Sequence, residues 1–133
     1  MTVLIWLHIV GAALWLGGLV TLAMVVLVAL RTLPREQFRA FVRQAGWAFG
    51  ALSAVAWLLI AASGLPLAAQ LGWPTPIRVK TGLAVAVVLA SALHVVTGRQ
   101  TDSPISLLIS RGLALGVFLA TLVIVWLGVQ AGG

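Results

Sequence analysis

The sequence predicts an all-α integral membrane protein: an antiparallel up-down bundle of four transmembrane helices in a single domain, residues 1–133. Two observations lead to this fold class. First, 62% of the residues are hydrophobic and 8% are charged, whereas soluble domains carry about a quarter charged residues. Second, the eight basic and two acidic residues are confined to windows 31–43, 78–80 and 99–111. The charge-free stretches around these windows are long enough to cross a bilayer, which takes ~20 apolar residues.

Proline-containing turns separate four predicted spans, at about 2–30, 44–70, 77–97 and 105–129. The first span ends before Pro34, because proline cannot continue the helical hydrogen-bond ladder. Arg35 begins a basic amphipathic turn that leads into the second span. Pro104 is expected at the first helical position of the fourth span, with Asp102 or Ser103 as its cap. Such a composition excludes a soluble enzyme, a disordered tail and a nucleic-acid-binding domain.

The basic residues predict the orientation of the bundle. The first and third connections carry six arginines, the second carries Arg78 and Lys80, and the termini carry no charged side chain. Because positive loops stay inside, both termini are predicted outside a bacterial cytoplasmic membrane. The net charge of +6 is therefore attributed to membrane topology rather than to binding of nucleic acid. Trp73 and Trp126 then fall near the outer interface, where tryptophan is enriched.

Ionisable residues within apolar spans mark candidate sites, because they are expensive there. His8, Lys80 and His94 are such residues. Lys80 and His94 are fourteen residues apart and share one face of the third helix. His8 and His94 lie near opposite leaflets, roughly 15 Å apart in depth, so they are not expected to share one metal. Trp15 lies two turns after His8 on the same face, either lining its cavity or only packing.

Each of these residues also has a structural interpretation. His8 is a ligand or proton-handling group, or a neutral imidazole hydrogen-bonded between helices. Lys80 is a partner of His8, or it extends its amine to the headgroups. To form a binding site, His94 would need another ligating group, or the His94 of a second copy of the chain. The pairs Gly46/Gly50 and Gly112/Gly116 form GxxxG patterns, which indicate close packing inside the bundle or a dimer face.

The first helix, LHIVGAALWLGGLV, resembles that of small four-helix membrane proteins of the copper-resistance protein D (CopD) family. The matching residues are His8, Gly11, Trp15, Gly17 and Gly18. The third helix is similar to that family's lysine-led helix ending in Ala-Leu-His, here Lys80 and Ala92 to His94. A more distant likeness is to HemJ-type protoporphyrinogen oxidases, in which His8 and Lys80 would correspond to a histidine–lysine pair. The CopD resemblance implies copper handling at the cytoplasmic membrane.

Three functions are therefore expected as alternatives. The first is binding or translocation of copper, with His8 and His94 as metal ligands. The second is binding of haem b, with His8 axial, Lys80 as second ligand or propionate partner, and Trp15 beside it; the small residues of the first helix would admit the macrocycle. The third is a structural subunit of a homodimer or larger membrane complex. Since no hydrolytic residue constellation is present, we expect no enzyme unless a cofactor supplies the chemistry.

Overall fold

The computed structural model describes the backbone of residues 1–98 and 104–132 and the side chains of residues 1–94 and 112–130. These residues form four α-helices: α1 (Thr2–Thr32), α2 (Arg35–Gln70), α3 (Thr75–Gly98) and α4 (Pro104–Gly132). All four are long and apolar enough to cross a membrane. The predicted caps Asp102 and Ser103, and Arg99, lie outside the described residues, as does the side chain of Arg111.

The helix boundaries confirm the predicted turns. α1 ends at Thr32, just before Pro34, and α4 begins at Pro104. The basic amphipathic turn at Arg35 is the start of α2, as predicted, and α2 runs from Arg35 through Pro66 to Gln70. Many large apolar side chains are exposed on all four helices, as expected of helices whose surroundings are lipid.

The first compact unit, Met1–Leu71, contains α1 and α2 packed as an antiparallel hairpin. Their contact surface, called the first seam here, brings Gly11 against Ile60 and Gly18 against Phe49. Because the residue number rises on one helix as it falls on the other, the two helices run in opposite directions. The buried residues of this unit are small or aromatic: Gly11, Trp15, Ala29, Ala56, Ser63 and Ala68.

The second compact unit, Gly72–Gly133, contains α3 and α4, which pack along a second seam. Val87 of α3 and Val117 and Thr121 of α4 are buried there. The unit opens on a turn in which Gly72 has a φ of 71° and Trp73 a φ of 54°. Positive φ is unusual for a tryptophan. The carbonyl of Trp73 accepts a hydrogen bond from Nε of Arg78 at 2.7 Å, which ties the turn to the first residues of α3.

The two GxxxG pairs do not mediate close packing within the described part of the chain. Gly46, Gly50, Gly112 and Gly116 are exposed, and a Cβ added at any of them meets no atom within 4 Å. The glycines that pack closely are instead Gly11, Gly18 and Gly64, all in the first unit. Within each helix pair, these motif residues therefore do not show the close packing that the pattern predicts.

Candidate functional site

His8 is held against α2 by hydrogen bonds to its Nδ1 atom. Nδ1 lies 3.2 Å from the carbonyl oxygen of Ile60 and 3.2 Å from Oγ of Ser63. A carbonyl can only accept a hydrogen bond, so the proton must sit on Nδ1 of His8. Ser63 is 1% exposed, and its hydroxyl donates to the carbonyl of Leu59. The oxygen of Ser63 is therefore available to accept part of the bond from His8.

This arrangement defines the chemistry of the imidazole. With the proton on Nδ1, the neutral ring carries its lone pair on Nε2. Histidines that bind metals usually donate their other ring N–H to a carbonyl or a carboxylate, which fixes the tautomer and the ring orientation. His8 has such a hydrogen bond, because its Nδ1–H is directed at acceptors of α2, and the residue is half-buried. In this tautomer, the lone pair that a metal would need is on Nε2 of His8.

Gly64 makes room for the His8 ring. A Cβ added at Gly64 would lie 2.8 Å from Cε1 and 3.1 Å from Nδ1 of His8. Such separations are below van der Waals contact, and an imidazole cannot bend away as a flexible chain can. The absence of a side chain at this one position of α2 therefore permits the hydrogen bonds to Ile60 and Ser63.

Trp15 lies in an aromatic cluster of the first seam. It is 3% exposed, and its ring centroid is 5.1 Å from that of Trp57 and 5.6 Å from that of Phe49. This packing explains why two tryptophans lie deep in the apolar spans. The indole Nε1 of Trp57 is buried without a hydrogen-bond partner among the described residues. An unpaired buried donor costs about 1–3 kcal/mol, which the packing of the aromatic rings has to offset.

An apolar groove of the first unit does not include His8. It is apolar, lies between α1 and α2, and begins several residues further along α1. Its lining consists of Ala13, Leu14, Gly17, Gly18, Thr21, Leu22, Val25, Ala45, Ala48, Phe49 and Leu52. The groove has no charged or metal-binding side chain. The His8 ring therefore lies outside this groove, on the packed surface between α1 and α2.

The other predicted site residues lie in the second unit. Lys80 and His94 are half-buried on α3, and Val87, midway between them, is buried. The three share the covered face of α3, as the fourteen-residue spacing predicts. Nζ of Lys80 lies 2.9 Å from the position of a Cβ added at Gly128 of α4. His8 belongs to the first unit, whereas Lys80 and His94 belong to the second.

Metal-binding residues are sparse in this protein. Among the described residues, no group of three or more His, Cys, Asp or Glu side chains could hold a metal ion. The whole sequence has no cysteine and two histidines. A metal on His8 would therefore take its other ligands from outside the described part of the unit, such as from a second copy of the chain.

Residues 10–103 match the family model described as "Domain of unknown function (DUF4149)", which covers more than half of the chain. The matched region contains Lys80 and His94 and begins two residues after His8. Neither the CopD family nor the HemJ-type oxidases are supported by this match. No curated protein and no solved structure matches the chain.

Proposed function

We propose that this chain, which belongs to the DUF4149 family, is an integral membrane protein that binds copper through Nε2 of His8. The observation that carries the proposal is the pair of hydrogen bonds that hold Nδ1 of His8 against Ile60 and Ser63. The proton on Nδ1 places the lone pair of the neutral ring on Nε2, and imidazole is a suitable ligand for copper. The likeness of the first helix to CopD helices favours copper over other metals.

Copper suits this site better than haem does. The haem alternative relied on the small residues of α1 to admit a macrocycle. Gly11 and Gly18 are contacted by α2, since a Cβ added at either would lie 3.1 Å or less from its side chains, and Gly17 alone among these glycines faces open space. A metal ion needs no such opening, because it can bind at the edge of the half-buried His8 ring. A second imidazole from another copy of the chain would complete a two-histidine site.

The test is the copper content of the purified full-length chain. Protein from copper-supplemented cells is compared with His8→Ala and with His94→Ala, which removes the other histidine. We expect His8→Ala to lower the bound copper at least about tenfold, because even the outer partners of a metal ligand contribute 10–100-fold to affinity. His94→Ala is expected to keep the copper. Copper content that is indifferent to His8→Ala would refute the proposal.

The same preparations separate copper from the two alternatives. Haem b would give the protein an intense Soret absorption that His8→Ala abolishes, with Lys80→Met testing a second ligand. A colourless protein that retains neither metal nor haem would favour a structural subunit of a larger membrane complex. Copper per chain also reports the stoichiometry, since a site shared by two copies holds one ion per two chains.

We also propose that the four helices lie in a bacterial cytoplasmic membrane in up-down order, with both termini outside. The support is the concentration of arginines around the connection between α1 and α2. Because the chain has no cysteine, single cysteines can be labelled cleanly. In intact cells, an impermeant maleimide should label Thr2→Cys at once and Gln37→Cys only after permeabilisation. The opposite labelling pattern would indicate that both termini lie inside and would contradict the proposed orientation.

A further inference from the structure

The amine of Lys80 lies directly against the backbone of α4. Nζ is 2.9 Å, and Cε 3.7 Å, from the position that a Cβ of Gly128 would occupy. Only a glycine leaves space for an ammonium group at this point of the second seam. The side chain therefore crosses from α3 onto α4 and does not simply extend along α3 towards water.

No acceptor for this ammonium is recorded in the part of the chain that the structure describes. The hydrogen bonds of neighbouring polar groups are satisfied elsewhere: Arg78 donates to Trp73, and Thr81 donates to Ile77. The end of α4 supplies only a partial negative charge, about half an elementary charge, through its terminal carbonyls. A half-buried cation among apolar helices with so little compensation is expected to recruit an anion.

Nearby residues indicate the depth of Lys80 in the membrane. Lys80 is five residues after the start of α3, about 7.5 Å along its axis. Trp126, two residues before Gly128 on α4, is 60% exposed. Exposed tryptophans collect at the level of the lipid headgroups. The exposed Arg78 adds a second cation at the same end of α3. The anion that is abundant at this level of a membrane is the phosphate of a lipid.

From this geometry, we propose that Lys80 and Gly128 form a binding site for the phosphate of an anionic lipid headgroup, with Arg78 as an additional cationic contact. Gly128 allows the ammonium to sit on α4, and the apolar surfaces of both helices receive the acyl chains. The site lies wholly in the second unit and does not depend on His8 or on copper.

The experiment measures lipid affinity with the full-length chain in detergent. The thermal unfolding midpoint is followed while phosphatidylglycerol is added, and apparent affinities are taken from its concentration dependence. Phosphatidylcholine with the same acyl chains tests the need for net negative charge. Sodium phosphate at equal ionic strength tests whether a free phosphate suffices. We expect phosphatidylglycerol to bind several-fold more tightly than phosphatidylcholine, with little effect of sodium phosphate.

Two variants test the site itself. Lys80→Met retains the apolar stem and removes the charge, and it should weaken phosphatidylglycerol binding about fivefold, the effect of one cation near a membrane surface. Gly128→Ala keeps the lysine but places a methyl group where Nζ lies. Because the lysine tip is flexible, this change displaces the ammonium without disturbing the helices. It should also weaken binding, whereas Lys80→Arg should preserve it.

Gly116→Ala on the same helix is the matched control, because a Cβ there meets nothing within 4 Å in the described residues. It should leave the lipid affinity unchanged. Equal binding of both lipids, or unchanged selectivity in Lys80→Met, would overturn the proposal. The ammonium of Lys80 would then interact with the terminal carbonyls of α4 and not with a lipid. Stabilisation by sodium phosphate equal to that by phosphatidylglycerol would overturn the lipid as the ligand.

Discussion

The two helix pairs of this protein use glycine in different ways. In the first seam, Gly11 and Gly64 lie under atoms of the facing helix, and an added Cβ would meet a neighbour at 2.9 Å or less. In the second unit, Gly82 and Gly116 meet nothing within 4 Å among the described residues, and Gly128 meets the tip of Lys80. Glycine in the first pair therefore sets how closely two helices approach, while Gly128 accommodates one charged group.

The comparison shows that a glycine motif does not identify a packing position. Gly46 and Gly50 form the expected GxxxG spacing but are exposed. Gly11 and Gly64 belong to no such pair and make the tight contacts. What matters is the residue opposite each glycine, and that depends on the register between the two helices. Substitutions at matched glycines can test this difference directly.

The largest effect is expected at Gly11. A methyl group there would lie 3.0 Å from the carbonyl oxygen of Ala56 and 3.1 Å from Cβ of Leu59, and neither atom can move without its helix. We expect Gly11→Ala to destabilise the protein by about 1–3 kcal/mol, as overpacking of a tight contact does. The measurement is the free energy of unfolding in a detergent titration.

Gly116→Ala is the control in the second unit. Its added methyl group meets no described atom, and alanine favours the helix by up to about 1 kcal/mol over glycine. This variant should be neutral or slightly more stable. Equal effects of Gly11→Ala and Gly116→Ala on stability would contradict the difference in glycine packing between the two seams.

An intermediate effect is expected at Gly64, where the neighbour is the His8 ring. Gly64→Ala should lower stability by about 1 kcal/mol, the value of a typical lost hydrogen bond, because the ring must leave Ile60 and Ser63. It should also reduce bound copper, read by metal analysis of the same sample. Gly50→Ala, on the same helix, places its methyl group within 4 Å of no described atom and should lower neither property. If Gly64→Ala left the copper content unchanged, metal binding would not depend on this position of the His8 ring.

The smallest effect is expected at Ser63. Ser63→Ala removes one of the two acceptors of the His8 N–H, but the carbonyl of Ile60 remains. The loss should be about 0.5–1 kcal/mol, within the usual value of one hydrogen bond. Ser53→Ala is the matched control, since Ser53 bonds only to the carbonyl of Phe49 on its own helix. A larger loss at Ser53 than at Ser63 would contradict the part that Ser63 has in holding His8.

Much of the fold could be predicted because its signals are local. The clustering of charges and the positions of Pro34 and Pro104 located the ends of α1 and α4 to within a few residues. The start of α2 at Arg35 could also be predicted, because the basic amphipathic turn after Pro34 marks it. His8 stood out because an imidazole in an apolar span is rare.

The partners of these residues could not be predicted. Apolar side chains surround each helix on nearly every side, so no polar face marks the register between neighbours. The contacts of His8 with Ile60 and Ser63, and of Lys80 with Gly128, depend on that register. Ser63 could be noticed as a polar residue within a span, whereas nothing in the sequence distinguishes Gly128 from the other glycines.

The length of α1 has a consequence for the membrane around it. Its residues up to Leu30 carry no charged side chain, and at 1.5 Å per residue they extend about 45 Å. The hydrocarbon layer of an ordinary bilayer is only about 30 Å thick. An overlong apolar helix relieves this hydrophobic mismatch by leaning away from the membrane normal or by thickening the lipid beside it. Because α2 is packed along α1, the helical hairpin leans as one body, and its inclination should decrease in thicker bilayers.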